Sequence, residues 1–294
     1  MALGLAECLT PGELVIGVNT GDDEEFHGLH VSPDLDTVMY TLAGLSNTET
    51  GWGLRGDTFN SLEMLNRYGA DAWFNLGDQD LATHIRRTQL LRSGATLSEV
   101  TVELCQRLGV KHPIVPMSDE PVQTILETDE GELPMQQYFV RRRAQPKVAA
   151  VRYAGAVAAK PSPGLNAALG SAKMIVVCPS NPALSVAPIL AVPGVRESLE
   201  AFTGPRVAVS PIVGGDAVKG PAGKIMAELG LEVSVVGVAR EYREICSHLV
   251  IDRRDEKLAP AVAETGLTPI VTNTIMESLE DKTTLAGEIL AFLR

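Results

Sequence analysis

The chain alternates two signatures: short, nearly unbroken apolar runs, and longer stretches in which apolar residues return every three or four positions. The first run, Glu13–Val18 (ELVIGV), ends in Asn19-Thr20-Gly21-Asp22-Asp23. A buried strand running into Asn, Gly and Asp is how an α/β protein presents a ligand loop at the carboxyl edge of its sheet. Ser32-Pro33-Asp34 then opens a predicted helix whose apolar stripe is Leu35, Val38, Met39 and Leu42. Asp57 is placed to cap a second helix, with Phe59, Leu62 and Leu65 facing inward. Two more helices are predicted around Leu81–Leu91 and Leu97–Leu108, the latter opening on Thr96-Leu97-Ser98-Glu99, the spacing of a capping box.

From Ile114 to Tyr153 the pattern changes. VQTILET, then Asp129-Glu130-Gly131, then ELPMQQYFV predict a hairpin, and KVAAVRY a third short strand. Beyond it MIVVCPSNP, RVAVSPIVGG, VSVVGVA, HLVID and TPIVTNT read as strands, each followed by a helical pattern. Continuous apolar strands alternating with amphipathic helices predict a parallel sheet covered on both faces. The fold class is therefore α/β, a Rossmann-like, mostly parallel sheet with helices on both faces and a smaller α+β insertion. In this reading residues 1–75 and 165–294 form the nucleotide-binding core, and 76–164 a helical and β-hairpin insertion.

Composition narrows the partners. The 294 residues are 45% hydrophobic, and 25 Lys and Arg stand against 37 Asp and Glu, a formal net charge of −12. Such a balance offers no global field to a nucleic-acid backbone or an anionic membrane. No apolar run reaches the roughly 18 residues of a membrane span, and MALGLAECLTPGE lacks the basic region of a signal peptide. Cys8, Cys105, Cys178 and Cys246 lie far apart with no CxxC, which reads as reduced thiols in a cytoplasmic protein.

Candidate chemistry collects at three strand ends. Asn19 and Thr20 follow the first strand; Pro179, Ser180 and Asn181 follow MIVVC; Ser210 and Gly214 follow RVAV and lead into Lys219 and Gly220. Glycines allow close backbone approach to phosphate, a helix start offers free N–H groups, and a lysine adds a point charge. A proline-rich turn with a solvated lysine is the plain alternative. Asp22, Asp23, Asp34, Asp36 and Asp57 form an acidic constellation suited to Mg²⁺ held between protein and substrate phosphates, or else to helix capping. His84, beside Arg86 and Arg87, reads as a structural or anion-contacting group, and Arg141-Arg142-Arg143 as a solvated run or a partner for an acidic group. No GxSxG, HExxH or Walker A segment is present.

These segments recur together in one family. In order, Asn19–Asp23, His27–Thr37 (HGLHVSPDLDT), Gly51–Gly53, Gly56–Phe59, Leu76–His84 (LGDQDLATH), Pro116–Asp119, Tyr138–Arg143, Pro179–Pro182, Ser210–Gly215 and Lys219–Gly223 closely resemble the 2-phospho-L-lactate transferases, the CofD family of coenzyme F420 biosynthesis. The resemblance implies transfer of a phospholactyl group, or in some relatives an enolpyruvyl analogue, from a guanosine-diphosphate-linked donor to the deazaflavin Fo (7,8-didemethyl-8-hydroxy-5-deazariboflavin), with GMP leaving. It implies Mg²⁺, a homodimer, and no nucleic-acid or membrane partner. Asp36, in SPDLDT, matches a residue that contacts Fo and is the candidate catalytic group. Asn75 stands where the family usually has Lys or Arg at the Fo site, and Asp57 is placed beside it. Asp22, Asp36 and Asp57 are the candidate metal ligands. The family begins with a strand and a GGxGGAK-type loop followed by a segment like Met1–Leu9, so that first strand and loop are expected to be absent here. Distantly related YvcK-type proteins share the fold and bind nucleotide sugars as regulators, which leaves binding without turnover as the alternative function.

Overall fold

In the computed structural model, which describes residues 1–218 and 220–293, helix α1 (Ala2–Cys8) leads to strand β1 (Ile16–Val18) and a small hairpin, β2 (Glu24–Phe26) and β3 (Leu29–Val31). Helices α2 (Pro33–Leu42), α3 (Asn60–Arg67), α4 (Asp78–Arg92) and α5 (Leu97–Arg107) follow. β1 pairs in parallel with β4 (Ile114–Pro116), with Val18 opposite Pro116. The strand beside β1 thus comes from within the 76–164 stretch. Leu35, Met39, Tyr40, Val100 and Leu104 are buried against Val18 and Ile114, each fully buried apolar side chain contributing roughly 1.5–3 kcal/mol.

Strands β5 (Gln123–Thr128), β6 (Gly131–Pro134) and β7 (Val148–Ala154) make an antiparallel sheet in the order β6-β5-β7. After α6 (Pro163–Ser171) come β8 (Ile175–Val177), α7 (Ala187–Leu190), α8 (Val195–Ala201), β9 (Arg206–Val209), a short hairpin of β10 (Ile212–Val213) and β11 (Asp216–Ala217), and α9 (Ala222–Glu228). The chain ends with α10 (Val235–Tyr242), β12 (His248–Asp252), α11 (Ala259–Glu264), β13 (Thr268–Thr272) and α12 (Leu279–Leu290). β8, β9, β12 and β13 form a parallel sheet in the order β13-β12-β9-β8. Side chains alternate across it, as the strand period of two requires. Val207, Val209 and Val250 pack with Leu285 and Ile289 of α12, whereas Ala208, Leu249 and Ile251 share a core with Val235, Val236 and Val238 of α10. The parallel strands are covered by helices on both faces, as the sequence pattern predicts.

Three local expectations are corrected. VSVVGVA is helix α10, not a strand. Its N-terminus is capped by Ser234, whose hydroxyl accepts from the N–H groups of Val236 and Gly237. A Cβ on Gly237 would stand 1.8 Å from the Glu232 carbonyl oxygen, so glycine is required there. A short all-apolar run fits a buried helix as well as a strand. ELPMQQYFV leaves the sheet at Pro134, and Gln137–Arg141 wind into a helical turn. Asp57 caps α4 rather than the helix that follows it; α3 is capped instead by Asp78.

An aromatic cluster ties the β2-β3 hairpin to the segment before α4. Phe26 stacks on Phe74 at 4.1 Å between centroids, Trp73 meets Phe26 edge-on at 5.2 Å, and the Arg141 guanidinium lies 5.5 Å from the Trp73 ring. Arg141 also pairs with Asp71 at 3.0 Å, and Arg142 pairs with Glu130. The basic run therefore meets carboxylates of its own chain.

Candidate active site at the end of the first strand

β1 delivers Asn19 and Thr20, both buried, to its carboxyl end. The Asn19 amide oxygen accepts from the Gly21 N–H at 2.8 Å, and its amide nitrogen donates to Asp34 Oδ2 at 3.0 Å and Asp22 Oδ1 at 3.4 Å. Gly21 has no room for a side chain, since a Cβ would lie 2.6 Å from Thr124 Oγ1 and 3.1 Å from Pro188. The loop is thereby pressed against β5 and α7.

Pro33 opens α2 with its φ already suited to a helix, but Ser32 makes no side-chain cap. The capping acceptor comes from outside: Asp22 Oδ2 accepts from the Asp34 N–H at 3.1 Å, and the Gln136 amide reaches the same oxygen at 3.3 Å. Burial, reinforced by the Asp34 and Asp23 carboxylates, pushes Asp22 well above the ordinary carboxylate range, and burial also raises Asp34. Asp23 is raised by burial even though its Oδ2 accepts from His30 Nε2 at 2.9 Å and from the Ser32 hydroxyl at 2.8 Å; its Oδ1 is buried with no partner. A cleft of about 520 Å³ opens beside them, walled by Thr20, Asp23, Glu24, His30, Asp119 and Glu120 among others.

Asp36 lies in the contact between α2 and α4, where its partner Arg87 is near enough to Asp23 for each to feel the other's charge. Arg87 donates Nη1 to Asp36 Oδ2 at 3.0 Å and Nη2 to Asp36 Oδ1. On α4, Asp80, His84 and Arg87 are spaced four and three residues apart and so share one helix face. Arg87 Nη1 lies 3.3 Å from His84 Nδ1, and His84 Nε2 lies 3.2 Å from Asp80 Oδ2. The Tyr40 hydroxyl, one turn along α2 from Asp36, donates to Asp80 Oδ1 at 2.7 Å. Burial alone would raise Asp80, but its bonds to His84 and Tyr40 leave it below the ordinary range. Burial opposes the charge of Arg87, yet the Asp36 carboxylate raises its pKa further. Asp36, Asp80 and His84 offer donor atoms within 4.8 Å of one another, a grouping able to hold a metal ion. Asp22, Asp36 and Asp57 form no such grouping among the described residues. Asp57 is taken up by backbone, its Oδ1 accepting from the Thr58 and Gln79 N–H groups and its Oδ2 from the Asp80 N–H.

The other predicted residues lie on separate elements. Asn181 Oδ1 caps the turn after β8 by accepting from the Ala183 and Leu184 N–H groups, leaving its buried amide nitrogen without a partner; Pro179 and Ser180 precede it, half-buried. The Ser210 hydroxyl, buried at the end of β9, donates to the Ile212 carbonyl and accepts from its N–H. The Gly214 N–H donates to Asp255 Oδ2 at 2.8 Å. Gly214 and Gly215, both at positive φ (63° and 84°), turn the β10-β11 hairpin, a conformation for which glycine is favoured. Gly220 is exposed, and Lys219 lies outside the described residues. Lys224 is not available to an anion, because its Nζ donates to the Tyr138 hydroxyl, the Pro146 carbonyl and Glu228. Asn75 is exposed just ahead of α4. Arg87, Asp80 and Tyr40 were missed as site residues. Their signal is polar side chains at four- and three-residue spacing on a face that must be buried.

Against known proteins, the model of the family described as 2-phospho-L-lactate transferase CofD matches residues 1–285. A 2-phospho-L-lactate transferase of Methanopyrus kandleri is 43% identical over 93% of this chain and 87% of its own. A phosphoenolpyruvate transferase of Streptomyces griseus is 47% identical over 81% of this chain and 77% of its own. Among solved structures, a Bacillus halodurans protein of the UPF0052 family superposes with a TM-score of 0.61, covering 98% of this chain and 94% of that one at 16% identity. That likeness concerns the fold.

Proposed function

Because the chain belongs to the CofD family of 2-phospho-L-lactate transferases and is a transferase, we propose that it moves a phosphorylated three-carbon acid from a guanosine-diphosphate-linked donor to the ribityl hydroxyl of the deazaflavin Fo. The observation that carries this reading is the set of carboxylates where β1 meets α2: Asp22 and Asp36, both buried, and the half-buried Asp34.

Asp22 is buried and Asp34 half-buried; they share the Asn19 amide, and among the described residues neither makes an ion pair. An oxygen-only pair of this kind fits Mg²⁺, which usually takes one or two carboxylates and completes its shell with water and substrate phosphates. Asp36 is held on both oxygens by the cationic Arg87 and Asp57 by backbone N–H groups at the start of α4, whereas among the described residues no hydrogen bond reaches Asp34 Oδ1 and only neutral donors reach Asp22. We therefore assign the metal to Asp22 and Asp34. When bound, Mg²⁺ supplies neutralisation of the diphosphate charge. Asn181, whose buried amide nitrogen has no partner, stands at the end of β8 and would donate to the nucleotide side of the donor, with the turn that begins at Ser210 after β9 beside it. Asp36, fixed by Arg87, orients the attacking hydroxyl. That oxygen forms a bond to the distal phosphorus, the bond from this phosphorus to the bridging oxygen breaks, GMP leaves, and the hydroxyl proton is lost. Positioning and electrostatics carry most of such a transfer, and no covalent nucleophile is needed.

In this reading α4, α5 and β4 belong with the nucleotide-binding core, and the β5-β7 sheet with its helical turn is the insertion. We place the enzyme in the cytoplasm as a homodimer, as the family resemblance implies. No helix among the described residues is long and apolar enough to cross a membrane. The test is to mix the protein with Mg²⁺, Fo and each donor, lactyl and enolpyruvyl, and follow F420-0 or its dehydro form by mass spectrometry. Product from either donor supports the reading. Bound GDP with no product from either would favour a binding protein instead.

A further inference from the structure

We propose that His84 and Asp80 are positioning residues for the transfer, acting through Arg87 on Asp36; the inference rests on the function proposed above. The contact between α2 and α4 carries a polar ladder: hydrogen bonds join Tyr40 to Asp80, His84 to Arg87 and Arg87 to Asp36, and His84 Nε2 stands 3.2 Å from Asp80 Oδ2 without a hydrogen bond of regular geometry. Arginine can only donate, so His84 Nδ1 accepts from Arg87 and the ring proton sits on Nε2, turned toward Asp80. The Asp80 carboxylate, 3.2 Å away, favours this orientation of the ring by its charge, the ring accepts from one arm of the guanidinium, and the guanidinium holds both Asp36 oxygens.

Stability does not call for this arrangement. Buried charged groups replaced together by apolar residues of like volume are commonly neutral or stabilising, and Leu35 and Met39, on the same helix as Asp36, already pack with apolar residues such as Val100 of α5. What the arrangement supplies is a carboxylate held on both oxygens by one guanidinium. Asp36 lies on the first turn of α2, where a free aspartate has several rotamers open to it, and a reacting group displaced by about 1 Å can lose about a hundredfold in rate. His84 is 1% exposed and too deeply placed to touch a substrate itself.

The test compares parent, His84→Leu and His84→Asn for turnover with Fo and donor, for GDP affinity by calorimetry and for thermal melting. His84→Leu should lower kcat by about 30- to 100-fold with the donor KM and GDP affinity within twofold of the parent. His84→Asn, which keeps an acceptor for Arg87, should recover about tenfold over His84→Leu. A split of this kind, kcat without donor KM, is not what a merely packing residue gives. If the parent turns over and folded His84→Leu stays within twofold of it, or if both variants lose activity only in proportion to a loss of folded protein, the positioning role is overturned while the function stands. A parent with no turnover on either donor overturns the function and the positioning role together.

Discussion

Arg87 grips both oxygens of Asp36 across two helices, with the Nη1–Oδ2 bond at 3.0 Å and both side chains almost wholly withdrawn from water. A pair so placed is costly to break and of little net value to stability, because the cost of desolvating the charges offsets their attraction.

The two halves of that statement can be separated. Asp36→Leu alone should destabilise by about 3–5 kcal/mol, since it leaves a buried guanidinium without its carboxylate, while Asp36→Leu combined with Arg87→Met should return to within about 1–2 kcal/mol of the parent. Urea unfolding measures both. Asp36→Asn keeps the shape and one acceptor, and should cut turnover by about 10²- to 10⁴-fold. A double variant as unstable as the single one, or Asp36→Asn active within a few-fold of parent, goes against the assignment.

The raised carboxyls set a pH dependence. A carboxyl whose folded pKa lies above its unfolded value, as for Asp22, Asp23 and Asp34, costs stability when both states are ionised. The folded state takes up the proton first as pH falls, so the cost is relieved between neutrality and the ordinary value of 3.8. Without divalent metal, Tm should therefore rise on mild acidification from pH 7, and Asp22→Asn should flatten that rise. Mg²⁺ should raise Tm at pH 7 by more than it does at pH 5, and EDTA should remove the difference. A Tm that falls steadily from pH 7 to 5 in both proteins would exclude these groups as the controlling ones.

Asp57 and Asp78 cap one another's helices, Asp57 serving α4 and Asp78 serving α3. Asp57→Ala should cost about 0.5–2 kcal/mol, as for other lost caps. Gly77→Ala should cost about 1–3 kcal/mol by overpacking, because its Cβ would stand 2.1 Å from Asp57 Oδ2. Asp57→Asn keeps an acceptor and should fall between Asp57→Ala and the parent. Chemical denaturation with the three variants side by side decides it, and equal stability of all three would remove the capping role.

Lys224 offers a contrast with the lysine expected at a phosphate loop. Its ammonium is held by the Tyr138 hydroxyl, the Pro146 carbonyl and Glu228, so Lys224→Met should leave GDP affinity within about twofold while lowering Tm. GDP itself should bind more tightly than ADP. Calorimetry with both nucleotides on parent and variant tests the pair of statements; a tenfold loss of GDP affinity in Lys224→Met would place this residue at the phosphate site.

Much of the architecture was legible because local and tertiary demands agreed. Thr96 and Glu99 form the reciprocal cap their spacing predicts, Pro33 starts α2, and HLVID is a central strand buried on both faces. Where the demands diverged, sequence reading went astray. Val235–Ala239 are apolar at every angle, so no periodicity marks them as helical, and only Ser234 signals the cap. Asp57 has the right residue type for a cap, but its target lies 22 residues along the chain. The partner of Asp36 was hidden for the same reason: Arg87 is 51 residues away and reads as a solvated arginine until α2 and α4 are brought together.

The aromatic cluster around Trp73 gives the protein an optical consequence. The chain has two tryptophans, and their surroundings differ sharply: Trp52 is exposed on the loop after α2, while Trp73 is half-buried against Phe26 and Phe74 with the Arg141 guanidinium over its ring. Fluorescence from the two indoles is therefore distinguishable, the first emitting as from water and readily quenched by iodide, the second emitting at shorter wavelength and shielded. Trp73 stands two residues from Asn75, so light from this one ring reports on the segment that leads into α4 without any label being added.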